Sequence, residues 1–235
     1  MNRCCHLIAT LAAAAALCSA NVFAQTASPP PATVGELKSL GNDRYQVGRI
    51  VVDKRARRFV VPGRIHLLGQ PLEYLATSPG GVKAYEALLE IEASGSEFNL
   101  ACILIGLERD PKFASSRQAG SGPIPGPRVT LSVAWTESGK RQQVSAARAI
   151  LNSEVDVNPE SVEWVYIGSP ASAMTERFAA DLTGTLVGFK PDDNGIIESA
   201  VGIGIGAYGS VRGHSMLPPV GTAVELVVQA AAAAK

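Results

Sequence analysis

The chain has 235 residues, 46% hydrophobic and 18% charged, with 21 basic against 21 acidic side chains, the size and balance of one ordinary globular domain once its end segments are set aside. Its 23 glycines, 15 prolines and 6% aromatic content favour many short elements joined by turns and exclude fibrous, collagen-like and coiled-coil classes. The even charge mixture supplies no global field directed at nucleic acid or a membrane surface.

At the N-terminus, Arg3 precedes an Ala-rich apolar run from Leu7 to Ala20, and Val22-Phe23-Ala24 places small residues three and one before a cut. This is the pattern of a secretory signal peptide over residues 1–24, and it leads to the expectation of a periplasmic or secreted protein. The run falls short of the roughly 20 strongly apolar residues a spanning helix needs, so no membrane span is expected after cleavage. Leu17 before Cys18 argues against lipidation. Cleavage removes Arg3 and no acid, leaving 20 basic side chains against 21 acidic ones, and it removes Cys4, Cys5 and Cys18. Cys102 is then alone and no internal disulfide is expected. Residues 25–34, with Pro29, Pro30 and Pro31, form a stiff linker; residues 35–229 form one domain; residues 230–235 are an Ala-rich tail.

Within the domain, β-branched and aromatic residues cluster from Tyr45 to Asp53, Arg57 to Leu68 and Leu72 to Thr77, separated by Pro/Gly turns, which predicts short strands. Glu86 to Ala93 alternates; as a helix it would oppose Glu86 and Glu90 at the repulsive spacing of four, so a strand is expected. Ser94 and Glu97 stand at capping-box spacing before the apolar stretch Phe98 to Leu107. One central buried helix is therefore predicted over about residues 96–107. Asp110 to Arg128 is too rich in Pro and Gly for either regular element and reads as a long loop, a candidate lid or binding edge. Val129, Leu131, Val133 and Trp135 alternate with polar or small residues, and Glu137 to Lys140 offers a hairpin turn into Arg141 to Val144. A short helix is expected over Ala146 to Leu151. Further strands are expected around Trp164, over Leu182 to Phe189, Ile196 to Ile205 and Thr222 to Val228. The sum is an α+β fold: a mostly antiparallel sheet, one central buried helix and long Pro/Gly-rich loops.

Catalytic patterns fail one after another. Gly204 to Gly209 fits G-x-G-x-x-G, with Glu225 at a suitable distance, but no helix follows to receive a pyrophosphate; Gly202, Gly204 and Gly206 read instead as one bare face of a strand. His66 and His214 occur in no ligand spacing, and the Asp192-Asp193-Asn194-Gly195 stretch lacks the spacing of a calcium loop, so neither metal nor cofactor is expected. Ser169 lacks the G-x-S-x-G elbow, and Pro170 cannot donate the N–H that elbow uses. Cys102, flanked by apolar residues, reads as a small core residue. The basic run Lys54, Arg55, Arg57 and Arg58 and the acidic positions Glu86, Glu90 and Glu92 read as mutually paired strands.

The segments Val61-Pro62-Gly63, Leu72 to Thr77, Tyr85 to Leu89, Asn99 to Leu107, Trp164 to Ser169 and Gly184 to Phe189 together resemble the YdjY-like family of exported bacterial proteins, over roughly Arg49 to Val228. The resemblance implies a domain boundary and little chemistry, since the family carries no established activity. A ferredoxin-like label associated with it does not suit this chain, because a cluster needs about four Cys ligands. Three functional expectations follow. The first is a non-catalytic exported domain binding an envelope protein or small ligand, not nucleic acid, through the loop near Gly120 to Pro127 and the neighbourhood of Tyr74, Glu86, Trp164, Ser169 and Tyr208. The second is a hydrolase or isomerase in which Glu73 and Glu86 converge with Ser169 or His66 in one pocket. The third is a structural envelope component.

Overall fold

Alternation of apolar and polar residues sets the strands, and their pairing closes a ring. The computed structural model describes residues 35–110, 123–152, 158–170, 177–190, 192, 194–203 and 209–231, within one compact unit spanning Pro31–Lys235. The strands are β1 (Leu37–Gly41), β2 (Arg44–Val47), β3 (Ile50–Asp53), β4 (Arg58–Ile65), β5 (Tyr74–Thr77), β6 (Ala87–Ile91), β7 (Arg128–Glu137), β8 (Lys140–Ser145), β9 (Ile150–Asn152), β10 (Trp164–Tyr166), β11 (Thr185–Gly188), β12 (Ile197–Ser199), β13 (Val211–Gly213) and β14 (Ala223–Ala230). Two helices accompany them, α1 (Gly95–Leu104) and α2 (Ala179–Thr183).

Eight strands follow one another hydrogen-bonded in the order β4, β14, β7, β10, β12, β11, β5, β6, and β6 returns to β4. The closing seam pairs Gly63 with Ile91, Arg64 with Glu90 and Ile65 with Leu89. The other half of the same β4 edge pairs with β3, through Val51–Val60 and Asp53–Arg58, so β1, β2 and β3 extend from the barrel wall as an antiparallel tongue. β8 folds back on β7 in the expected hairpin, while β9 and β13 form a separate two-stranded sheet.

An eight-stranded barrel is just wide enough for side chains to fill, and here they do. Phe59, Val61 and Ile65 of β4, Leu131 and Val133 of β7, and Val224, Leu226 and Val228 of β14 belong to one continuous buried cluster. Their sequence neighbours Arg58, Val60, Pro62 and Glu225 lie on the outer face. A smaller apolar cluster, Ile124 with Val165, Ile167 and Ala200, seals the outside of β10 and β12. There the Ile124 N–H donates to the Ala200 carbonyl at 2.8 Å and the Tyr166 N–H to the Pro127 carbonyl at 3.0 Å.

The expected α+β sheet with a central helix gives way to a mostly β structure with a closed barrel, a mixed sheet and two short helices. β5–β6 and β11–β12 are parallel pairs. α1 begins at the predicted capping box, with Ser94 Oγ accepting from the Glu97 N–H and Glu97 Oε2 accepting from the Ser94 N–H. It is nevertheless one-sided rather than central: Phe98, Ala101 and Cys102 are buried, while Ile103 is 51% exposed. Phe98 meets Phe59 edge to face, ring centres 5.2 Å apart, so the helix packs against one end of the barrel core. A stretch apolar all round does not say which side it buries; the strands beneath it decide.

Three local expectations also change. Ala146 to Ala149 form a turn running into β9, because β13 offers Leu151 and Asn152 cross-strand partners that a helix would forgo. Gly202 has φ +73°, which is not extended backbone, so the strand expected over Ile196 to Ile205 shortens to β12; Gly204 and Gly206 lie outside the described residues. The last strand runs to Ala230, into the expected tail, where the Ala230 N–H bonds the Arg57 carbonyl at 3.0 Å.

Candidate functional site

Two of the candidate carboxylates converge, and the parallel pairing of β5 with β6 brings them together. Tyr74 stands opposite Ala87, so the residues just before them, Glu73 and Glu86, become neighbours, with the Glu73 N–H bonded to the Glu86 carbonyl at 3.0 Å. Tyr74 is buried, and its hydroxyl donates to Asp192 Oδ2 at 2.9 Å. Asp192 Oδ1 accepts from the backbone N–H and side-chain amide of Asn194, and Glu198, 1% exposed, accepts from the Asp192 N–H at 2.8 Å. Lys190 Nζ donates to Glu73 Oε1 at 2.7 Å, and Lys83 Nζ lies 3.9 Å from Glu86 Oε2.

Electrostatically this is a self-compensating cluster. Burial, then the charge and hydrogen bond of Asp192, then Glu73 and Glu86, push the Tyr74 hydroxyl far above its ordinary range. Tyr74 is therefore a fixed neutral donor, and its proton is not available to a reaction near neutrality. Each of Glu73 and Glu86 faces an ammonium group.

The other candidates have separate partners. Ser169 Oγ accepts from the buried Ala180 N–H at 3.0 Å and so anchors the start of α2. His66 Nδ1 lies 4.0 Å from Glu90 Oε2, on the carboxylate that Arg64 grips at 2.7 Å. Trp164 is 3% exposed and belongs to the main core cluster. Tyr208 lies outside the described residues, as do Gly120 and Gly122 of the Pro/Gly-rich loop; the loop's last part, from Pro123, lies against the barrel wall. Among the described residues no group of three or more His, Cys, Asp or Glu is placed to hold a metal ion, and no helix is long and apolar enough to cross a membrane.

A sizeable concavity lies elsewhere, on the outer face where the tongue meets the barrel. It encloses about 650 Å³ and is lined by Arg44 and Gln46 of β2, Arg49, Val51 and Asp53, Arg58, Val60 and Pro62 of β4, Arg141 of β8 and Glu225 of β14. A second hollow of about 490 Å³ shares Arg49, Pro62, Arg141 and Glu225 with it. Arg141 Nη1 holds Glu225 at 2.6 Å and Arg49 Nε holds Glu92 at 3.0 Å. Arg44 and Arg58 flank Asp53 in cross-strand register, and among the described residues neither has a carboxylate within 4.0 Å. Asp53 Oδ1 is itself engaged by the Ala56 N–H at 2.8 Å.

The family model of the YdjY domain matches residues 50–229. The chain belongs to the YdjY family. No curated protein and no solved structure matches it. The matched stretch of the YdjY domain takes in nearly the whole barrel, whereas β1, β2 and the residues Arg44 and Arg49 precede it.

In the sequence, residues of this YdjY domain's groove fall into separate patterns: Arg58 in the basic run, Pro62 in Val61-Pro62-Gly63, Arg141 in the hairpin and Glu225 with the glycine motif. In the basic run Arg57 turns away and donates from Nε to the Ile105 carbonyl at 3.2 Å, while Glu90 of β6 pairs with Arg64 and Glu92, just after it, with Arg49. The available signal was the alternation Arg58, Val60, Pro62 on the polar side of β4, matched by Arg44 and Gln46 on β2. It carries no information about which strands share a wall.

Proposed function

We propose that this YdjY-domain protein is an exported, non-catalytic binding module of the cell envelope that engages its ligand or partner on the outside of the barrel. One observation carries the reading: the barrel interior is occupied by its own side chains, while the outer face carries a groove of about 650 Å³, a size typical of binding sites. The N-terminal leader pattern supports a destination outside the cytoplasm.

The test is a photo-crosslinking amino acid at Gln46, in the groove, and at Ser138, in the exposed β7–β8 turn, in the full chain expressed in its host. A discrete adduct from Gln46 and none from Ser138, in the envelope fraction, is the expected result. Retention in the cytoplasm, or equal and diffuse labelling at both positions, would defeat the reading.

A hydrolytic or isomerising role for Glu73 and Glu86 has their convergence in its favour. Against it, Lys190 and Lys83 face the carboxylates, and Ser169 and His66 have partners of their own.

A further inference from the structure

The groove has a definite chemical character. Its floor is apolar: Val51 and Val60 are cross-strand partners on β3 and β4, and Pro62 follows two residues along the same outer face. Its walls are cationic, but the two sides differ. Arg49 and Arg141 are each committed to a carboxylate at about hydrogen-bond distance, whereas Arg44 and Arg58 stand on either side of Asp53 without closing on it. Adding Glu92 to the acids of the lining, four guanidinium groups meet three carboxylates, so one positive charge is left over at the Arg44–Arg58 wall. A guanidinium is a planar fork matched to a carboxylate or phosphate, and its bonds to such oxyanions are about twice as strong as neutral ones.

We propose that the groove binds a small anionic amphiphile, in which a carboxylate or phosphate is taken by Arg44 and Arg58 and a short apolar body lies on Val51, Val60 and Pro62. This rests on the reading of the domain as a binding module and names the ligand class for its groove. Asp53 is the tuning residue: its carboxylate lies between the two arginines in the sheet and opposes an incoming anion, so the site favours ligands whose apolar part adds to the attraction. Bare anions gain less, because they leave the floor uncovered.

Titration calorimetry of the full mature chain, with hexyl phosphate, octanoate, inorganic phosphate and hexanol as probes, tests this. The two alkyl anions distinguish phosphate from carboxylate as the preferred head group. The expected result is saturable binding of at least one of them, with inorganic phosphate on the order of tenfold weaker and no saturation by hexanol. R44Q and R58Q, both surface changes whose melting temperature is checked first, should each weaken the alkyl anion by about tenfold. D53N, which keeps the oxygen that accepts from Ala56, should tighten it. No saturable binding of either alkyl anion, or unchanged binding in R44Q and R58Q, overturns the proposal. If the alkyl anions fail while the Gln46 crosslinker still yields its adduct, the ligand class is wrong and the binding module stands; if both fail, both readings fall.

Discussion

Gly63 of β4 and Ile91 of β6 face each other across the seam that closes the barrel, and the seam has no room for a side chain at Gly63. A Cβ there would collide with the Glu90 carbonyl oxygen and lie 2.6 Å from Ile91 Cδ1. The obstacle is partly backbone, which cannot rotate away as a side-chain tip can. Gly63→Ala is therefore expected to destabilise the fold by about 1–3 kcal/mol, as overpacking of a core does. Gly69→Ala, at an open position with nothing within 4 Å, should be neutral or slightly stabilising. Urea midpoints of the two variants decide it; equal midpoints would mean the seam is not the tight point of the ring.

Glu97 holds two parts of the chain at once. Its Oε2 completes the capping box with Ser94 at 2.9 Å, and its Oε1 accepts from the Gly35 N–H at 3.2 Å. Ser94→Ala should cost about 1 kcal/mol, the usual worth of an N-cap. Gly48→Ala should cost more, since Gly48 has φ +53° and an added Cβ would run into the Glu97 carboxylate. Thermal melts monitored by far-UV circular dichroism provide the comparison; a Gly48→Ala protein as stable as the wild type would show that the contact is slack.

The raised Tyr74 hydroxyl makes stability depend on alkaline pH. Its folded value lies above the ordinary 10.0, so above about pH 10 the unfolded chain releases a proton that the folded chain keeps. Stability is then fully present below that pH and declines as pH rises beyond it. Tyr166, also raised by burial, adds to the decline. Tyr74→Phe should lose about 1.5–3 kcal/mol at pH 7, the range for a hydrogen bond to a charged group, and should show a shallower loss between pH 9 and 11. Parallel slopes for wild type and variant in that window would contradict the assignment.

Cys102 is fully buried on α1, and desolvation alone pushes its thiol well above the usual value. Only the thiolate reacts readily, so in a chain produced without residues 1–24, where Cys102 is the one cysteine, a thiol reagent should leave the folded protein unlabelled and modify one residue per chain once urea unfolds it. Labelling in the folded state at the rate of free cysteine would show that α1 opens easily.

Local patterns were enough for the strand faces of β4, β7 and β14, the β7–β8 hairpin and the capping box of α1, because each depends on residues within one or two turns of chain: apolar alternation chooses a face, and Ser94 reaches Glu97 three residues on. Ring closure, the parallel pairs and both polar assemblies were decided in tertiary structure. A strand's edge presents the same N–H and C=O groups to any partner, so neither the return of β6 to Gly63 nor the adjacency of Glu73 and Glu86 is written in either segment alone. The groove is the same case: Arg44 and Arg58 become two sides of one wall only after β3 is seated between them.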